Sequence, residues 1–532
     1  MQPIEEDHIV KPFIYGKDIC EFADSIASIR LMKEWINDCE SAPLQNPPEL
    51  RCEPTRLIQI GENDLKAHRL CSPKRFVQYA ALSYRWGLGK QSETTKENVN
   101  ERSRELLTSD FPKTLQDAIQ VTRGLGLKYI WIDQICIVQD DEEEWAKEAA
   151  LMADIYADAY IVLSATATED SKSGFLQKRP EPLDISYAQH GYGDRKVRAR
   201  RVDNHSCDRD DQKTSYTLFQ RGWCMQERFL ARRIIHFLPD EFLFECEHGR
   251  RCECGAANTE RPNSDRLGFK AFKSLQAALI MPENFTSEWM KIVGDYSQTE
   301  LTYGQDSLPA LSGIAACMEH LSPGKYIAGL WEHGIIFQLG WRYAGSPIKI
   351  RWKRPENADI LGPTFAWSSH ERNVHFYYPV ELSKEICTLE SFQVQAATSN
   401  PYGRVLHASL CLSGRSVSGY RVYQQLKTSA FGKAYTHMML DSGLLLSDSP
   451  HWTMVLDDEQ QDLLNNETTW RSVVCFGLSS YCGTLQEVES VDALLLEHSE
   501  TRVGEYTRLG VVQSVERSWF DENTVASRIT LV

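Results

Sequence analysis

The run Tyr129-Ile130-Trp131-Ile132-Asp133-Gln134-Ile135-Cys136-Ile137 is apolar until an aspartate interrupts it, and a long amphipathic pattern follows almost at once. An apolar stretch without strict alternation suits a strand covered on both faces, as in a parallel sheet. The spacing predicts a buried parallel strand over Tyr129–Ile137 whose carboxyl end delivers Asp133 and Gln134 to a crevice. That edge is where open α/β sheets bind ligands.

The neighbouring segments extend this pattern. Tyr79–Tyr84 reads as a short strand ended by Arg85-Trp86-Gly87-Leu88-Gly89. Lys113–Leu125 places Leu115, Ile119, Thr122 and Leu125 on one helical face and ends at Gly124 and Gly126. Asp141 is placed to cap the next helix, with Glu144 three residues on, and Trp145, Ala149, Met152, Ile155, Tyr156 and Ala159 form its apolar stripe. Tyr160–Ala165 supplies a third strand. Strand and helix in alternation, joined by short links, argue a parallel sheet with right-handed crossovers.

Around this core, residues 19–41 read as a helix with Ile26, Ile29, Leu31, Met32, Trp35 and Ile36 on its apolar side, stopped by Pro43, Pro47 and Pro48. Arg56 to Ile60 reads as a short strand. Residues 168–215 form a polar excursion with a basic patch (Arg195, Lys196, Arg198, Arg200, Arg201) and an acidic one (Asp208, Asp210, Asp211), both expected in solvated loop. A helix is predicted over Arg221–Ile235, leading into apolar runs at 234–237 and 241–244. Further helices are expected near 266–280, 286–298 and 307–321. Beyond about residue 345 the pattern alternates, with strands expected at His375–Val380, Phe392–Ala396, Val405–Leu412, Trp452–Leu456, Ser472–Leu478 and Leu509–Val515. The resulting division is an N-terminal helical and extended segment (1–75), an α/β domain (76–245), a helical extension (246–345) and a β-rich C-terminal domain (346–532). A chain of 532 residues fits this, being too long for one ordinary core.

Charge and cysteine content narrow the partners. The formal net charge of −16 offers no basic face for nucleic acid and disfavours an anionic membrane surface. The first residues show neither the basic nor the apolar region of a signal peptide, and no apolar run is long enough to cross a bilayer. Fifteen scattered cysteines favour reduced thiols over a disulfide framework, so a cytoplasmic protein is expected.

Four clusters carry candidate chemistry. In Ser83-Tyr84-Arg85-Trp86-Gly87, Tyr and Trp can stack on a ring and Arg can clamp a phosphate or carboxylate, although a packed strand end with a glycine turn explains the same residues. Gly87-Leu88-Gly89-Lys90 is neither a Walker A loop nor a dinucleotide fingerprint. Asp133 with Gln134 either contributes to a site or has a structural role, capping a loop or pairing with Arg85. In Arg221-Gly222-Trp223-Cys224-Met225-Gln226-Glu227-Arg228, the residues Trp223, Glu227 and Leu230 share a helical face, so Glu227 is turned toward the core or a cleft. Such a glutamate is either paired, again with Arg85 as the candidate, or poised for chemistry. Cys246, His248, Cys252 and Cys254 could ligate zinc, but their spacing is tighter than that of usual structural sites and free loop thiols are the expectation. No metal ligand set is assigned.

Taken together, these blocks resemble the fungal heterokaryon-incompatibility (HET) domain. The resemblance runs over Tyr79–Gly87, over Tyr129–Ile137 with Gln139 and Asp140, over Trp145, Glu148, Met152, Tyr156 and Ala159, and over Arg221-Gly222-Trp223 with Gln226, Glu227, Leu230, Arg232 and Arg233, about residues 76–245 in all. Trp35 and Cys39, Asp306–Ala315 and Tyr326–Trp331 extend it weakly; Cys224 departs from it where Thr or another small residue is expected, and the excursion at 180–215 has no counterpart.

The resemblance implies a role in non-self recognition and regulated cell death. It also implies a fold akin to Toll/interleukin-receptor (TIR) domains, with a flavodoxin-like parallel sheet. Some TIR domains hydrolyse NAD through a glutamate in a Trp-x-x-x-Glu helix, a spacing that Trp223 and Glu227 share, and Ser83-Tyr84-Arg85 is similar to the end of their first strand. On that analogy Glu227 is the catalytic candidate. Tyr84, Arg85, Trp86, Asp133, Gln134 and Trp223 are the substrate-binding candidates, and NAD is the substrate rather than a bound cofactor. The alternative is a non-enzymatic module that signals by self-association, its same residues forming an internal network; an incompatibility partner protein is expected as well.

Overall fold

The alternation of short apolar runs with helical stripes is realised as a mixed sheet flanked by helices. The computed structural model describes residues 17–42, 53–62, 67–87, 92–189, 193–199, 216–255, 282–322, 324–343, 362–369, 373–376, 383–425, 435–440, 453–456, 471–482, 489–499 and 503–532. The chain divides into two compact units, Met1–Ser274 and Leu275–Val532.

The strands of the first unit are β1 (Leu57–Gln59), β2 (Arg69–Cys71), β3 (Ala80–Ser83), β4 (Tyr129–Trp131), β5 (Ile161–Ser164), β6 (Leu183–Gln189), β7 (Gly193–Ala199), β8 (Arg233–Phe237), β9 (Phe242–Cys246) and β10 (Gly249–Cys252). Eight of them form one sheet in the order β10-β9-β8-β5-β3-β4-β1-β2. Its centre is parallel, since β3 pairs with β4 and β5, and β5 with β8. Its edges are antiparallel, so the sheet as a whole is mixed. All of β3 and β5 is buried, as parallel strands covered on both faces require.

The helices are α1 (Ile26–Ser41), α2 (Val99–Arg102), α3 (Lys113–Leu125), α4 (Asp133–Cys136), α5 (Glu142–Asp158) and α6 (Gly222–Leu230). α3 joins β3 to β4, α5 joins β4 to β5, and α6 precedes β8; α1 packs with α3, and α5 with α6. The Asp141 side chain accepts from Glu144 N, which is the cap expected for α5. Glu144 does not reach back to the cap. It accepts instead from Val138 N at 2.9 Å and from Arg56 Nη2 at 2.7 Å.

Four expectations are corrected. The strand predicted over Tyr129–Ile137 ends at Trp131, because Asp133 Oδ1 accepts from Gln134 N at 2.7 Å and the backbone turns into α4. The helix predicted over Arg221–Ile235 stops at Leu230: β-branched Ile234 and Ile235 are recruited between β5 and β9. The excursion is not wholly loop, since β6 and β7 pair as a hairpin from Leu183↔Ala199 to Gln189↔Gly193, with Arg195, Lys196 and Arg198 on β7. Arg200, Arg201, Asp208, Asp210 and Asp211 lie outside the described residues. Ile26, placed on the apolar side of the first helix, is 82% exposed, because it opens α1 directly after the Ser25 cap.

In the second unit, helices span Pro282–Ser297 and Pro309–Met318. The strands Val405–Gln425, Arg471–Cys482, Glu489–His498, Glu505–Glu516 and Val525–Leu531 pair successively, and the last returns to the first. Phe520, from a short helix at Arg517–Asn523, packs on Val473, Val491, Leu495 and Val512. The C-terminal part is therefore β-rich, as its alternation predicts. The predicted segments at 266–280 and 377–380 lie outside the described residues. Among the described residues no helix is long and apolar enough to cross a membrane.

Candidate functional site

The carboxyl ends of β3 and β4 are adjacent, and their exits bring two predicted groups of residues together. Tyr84, 3% exposed, donates from its hydroxyl to Gln134 Oε1 at 2.8 Å. Half-buried Trp86 donates from Nε1 to Asp133 Oδ2 at 2.7 Å. Gly87 follows with φ +84°, and a Cβ there would stand 2.7 Å from Asp170 Cβ. The left-handed backbone and the close approach both require glycine. Burial raises the Asp133 carboxyl above the usual range, against the Trp86 hydrogen bond and the charge of Arg221. The Tyr84 phenol is held well above its usual value by burial and then by the Asp133 charge.

Helix α6 brings the third group. Arg221 stands at its N-cap position and donates from Nη1 to Tyr84 O at 2.6 Å, fastening the helix start to the end of β3. One turn and a half later Glu227 is 5% exposed. Burial pushes its carboxyl up to about 7, opposed by hydrogen bonds from Ser83 and Cys224 and by the Arg221 charge, while Asp133 adds to the rise. Its Oε2 has no hydrogen-bond partner among the described residues. Burial and then Glu227 raise the Cys224 thiol, so it stands as a neutral neighbour. A carboxyl poised near neutrality can hand over a proton or, once ionised, stabilise positive charge.

Tyr84, Trp86, Asp133, Gln134 and Glu227 thus belong to one edge of the sheet, and Trp223 is half-buried against the same core. Arg85 is exposed, and the cation that faces Glu227 and Asp133 is Arg221. The pairing of those carboxylates with Arg85 is corrected accordingly. Ser83, Arg221 and Cys224, which the sequence pattern places in the candidate blocks without a role, act on Glu227 directly. Their signals were positional: Cys224 lies three residues before Glu227 on one helical face, and Arg221 stands at the N-cap.

Behind β8 lies a second polar cluster. Glu245 accepts from Arg228 Nη2 at 2.9 Å, from Arg250 Nε at 3.0 Å, and lies 3.0 Å from His236 Nε2. Burial alone would raise Glu245, but Arg228 and Arg250 outweigh it and hold the carboxyl well below its usual range. Burial lowers His236 to about 4.

The four residues considered for zinc do not meet. Cys246 shares a hydrogen bond with Cys39 of α1, which lowers Cys246 and raises Cys39. His248 Nε2 lies 3.5 Å from Glu247 Oε1. Cys252 and Cys254 are buried, not loop-exposed, and gather with Glu241.

Residues 79–227 match the model of the heterokaryon incompatibility protein (HET) family, and the chain is a HET domain protein over that segment. It is similar to heterokaryon incompatibility protein 6, OR allele, of Neurospora crassa, with 34% identity over 102 residues. That match covers 18% of this chain and 15% of the relative, well short of two thirds of its length. No solved structure matches.

Proposed function

We propose that the chain acts in fungal heterokaryon incompatibility, as a signalling protein of non-self recognition and regulated cell death whose TIR-like core binds NAD and cleaves its nicotinamide–ribose bond. The HET match and the name of the Neurospora relative support the first part. The strand order supports the second. Numbered by their place in the chain, the parallel strands β4, β3, β5 and β8 run 2-1-3-4 across the sheet, the flavodoxin-like order that binds ligands outside its carboxyl ends.

The observation that carries the chemistry is Glu227: buried, pushed up to about 7, and with one oxygen unpartnered beside the ends of β3 and β4. Loss of nicotinamide passes through an oxocarbenium-like state, which an ionised carboxylate near the ribose stabilises. Water then adds to the anomeric carbon, giving ADP-ribose and a proton. Exposed Arg85 meets the phosphates, half-buried Trp86 offers a stacking face, and Asp133 holds that indole in place.

A second reading, a non-enzymatic self-associating module, is favoured by a different observation. The Tyr84–Gln134, Trp86–Asp133 and Arg221–Tyr84 hydrogen bonds already satisfy these groups within the protein. The test is nicotinamide release from NAD by the concentrated, assembled chain, beside Glu227→Gln. Release by wild type and none from a folded variant supports the enzyme. Equal release removes Glu227 from the reaction, and no release from either favours the module.

A further inference from the structure

We propose that Glu241, Cys252 and Cys254 form a binding site for a thiophilic divalent cation, zinc by its chemistry. The site arises from the β9–β10 hairpin. Cys252 closes β10 opposite Leu243, and the chain then turns through Glu253 and Cys254, with Gly255 N donating to Cys252 O at 3.0 Å, which brings the two thiols together. Glu253 takes Arg179 as its partner, with Nη1 at 2.9 Å from Oε1 and Nη2 at 2.8 Å from Oε2. Glu241, just before β9, enters from the other side: its Oε2 accepts from Cys254 N at 3.0 Å, and its Oε1 lies 3.7 Å from Cys254 Sγ. The two sulfurs are 3.3 Å apart, and one ligand atom from each of the three residues falls within 4.8 Å of the others.

The distances suit a small tetrahedral ion. With zinc–sulfur bonds of about 2.3 Å and a zinc–oxygen bond of about 2.1 Å, the ligand-to-ligand edges are roughly 3.6–3.8 Å. The sulfur pair need open by only about half an ångström to reach that edge, and the Cys254 sulfur to Glu241 oxygen separation of 3.7 Å already matches. The donor set is selective as well, because two thiolates exclude magnesium and calcium, which take oxygen ligands. Binding displaces the two thiol protons, and the resulting charge is set within an apolar shell of Phe219, Leu238 and Leu243. Three protein donors leave one tetrahedral position for water. Glu241, Cys252 and Cys254 lie beyond residues 79–227, so the HET match does not include them.

The experiment is metal analysis of the full chain purified under reducing conditions with zinc supplied and no chelator. About one zinc per chain is expected, falling at least five-fold in Cys252→Ser/Cys254→Ser and unchanged in Cys39→Ser. Cobalt(II) titrated into the zinc-free wild-type chain gives a second readout that needs no variant: thiolate-to-metal absorption in the near ultraviolet, saturating at one equivalent. A chain without zinc and without that absorption overturns the proposal, as does zinc retained in the double variant. Two thiols missing from the count in the metal-free chain, in a pattern that assigns them to Cys252 and Cys254, would also overturn it and make the pair a disulfide.

Discussion

The indole Nε1 of Trp86 donates to Asp133 Oδ2 across 2.7 Å, joining the loop after β3 to the helical turn after β4. A hydrogen bond to a charged acceptor contributes about 1.5–3 kcal/mol where it is shielded from water. We predict a coupling of about 1–2 kcal/mol between Trp86→Phe and Asp133→Asn in a double-mutant cycle followed by denaturant unfolding. Additive effects would mean that the two side chains are held in place independently.

Gly87 extends that loop into the left-handed region, against Asp170. An alanine pays roughly 1–2 kcal/mol for the backbone alone, and its Cβ would meet Asp170 Cβ at 2.7 Å. Gly87→Ala should therefore lower stability by about 2–4 kcal/mol. In the Asp170→Gly background, which removes the opposing Cβ, a smaller penalty is expected. An equal penalty in both backgrounds would assign the whole cost to the backbone.

These two sites also mark what the sequence could and could not convey. The parallel centre is legible because β3 and β5 are each apolar up to a closing serine and are separated by segments of helical period. Asp133 is expected at the carboxyl end of a strand over Tyr129–Ile137 and instead lies past it, the strand being six residues shorter than read, since Ile135 and Ile137 are as apolar as Ile130. A side chain that captures the next backbone N–H decides the matter, and apolar periodicity carries no trace of it. For the same reason the arginine of the site was misassigned. Arg85 and Arg221 are 136 positions apart (221 − 85), and only the packing of α6 against β3 chooses between them. Glu227 was legible because its helical face also bears Leu230.

The Glu245 cluster should dominate the acid side of the stability profile. Glu245→Gln leaves Arg228 buried without its full counter-charge, for which a loss of about 3–5 kcal/mol is expected. His236 adds a pH dependence. Its folded value near 4 lies below the roughly 6.5 of an unfolded histidine, so stability is lost as pH falls from about 6.5 to 4. Glu245, depressed in the fold, loses stability in the same direction below about pH 4.5. Unfolding free energies at pH 7, 6, 5 and 4 should fall less steeply in His236→Gln than in wild type, and parallel curves would contradict the assignment.

Glu227 has the opposite sign. Its folded value of about 7 lies above the ordinary glutamate value of 4.5, so the fold binds its proton more tightly than the unfolded chain does. Its contribution to stability is therefore present at low pH and is lost as pH rises from about 4.5 to 7, by on the order of 3 kcal/mol. Asp133, also raised by burial, adds to the loss in the same direction. Glu227→Gln keeps the shape and removes the charge, so the stability difference between variant and wild type should grow from pH 5 to pH 8. The same titration makes the two functional readings separable. If ionised Glu227 stabilises an oxocarbenium-like state, nicotinamide release by the assembled wild-type chain rises with pH through about 7 and is absent in the more stable Glu227→Gln. If the residue serves only the internal network, the stability difference appears alone and no nicotinamide is released at any pH.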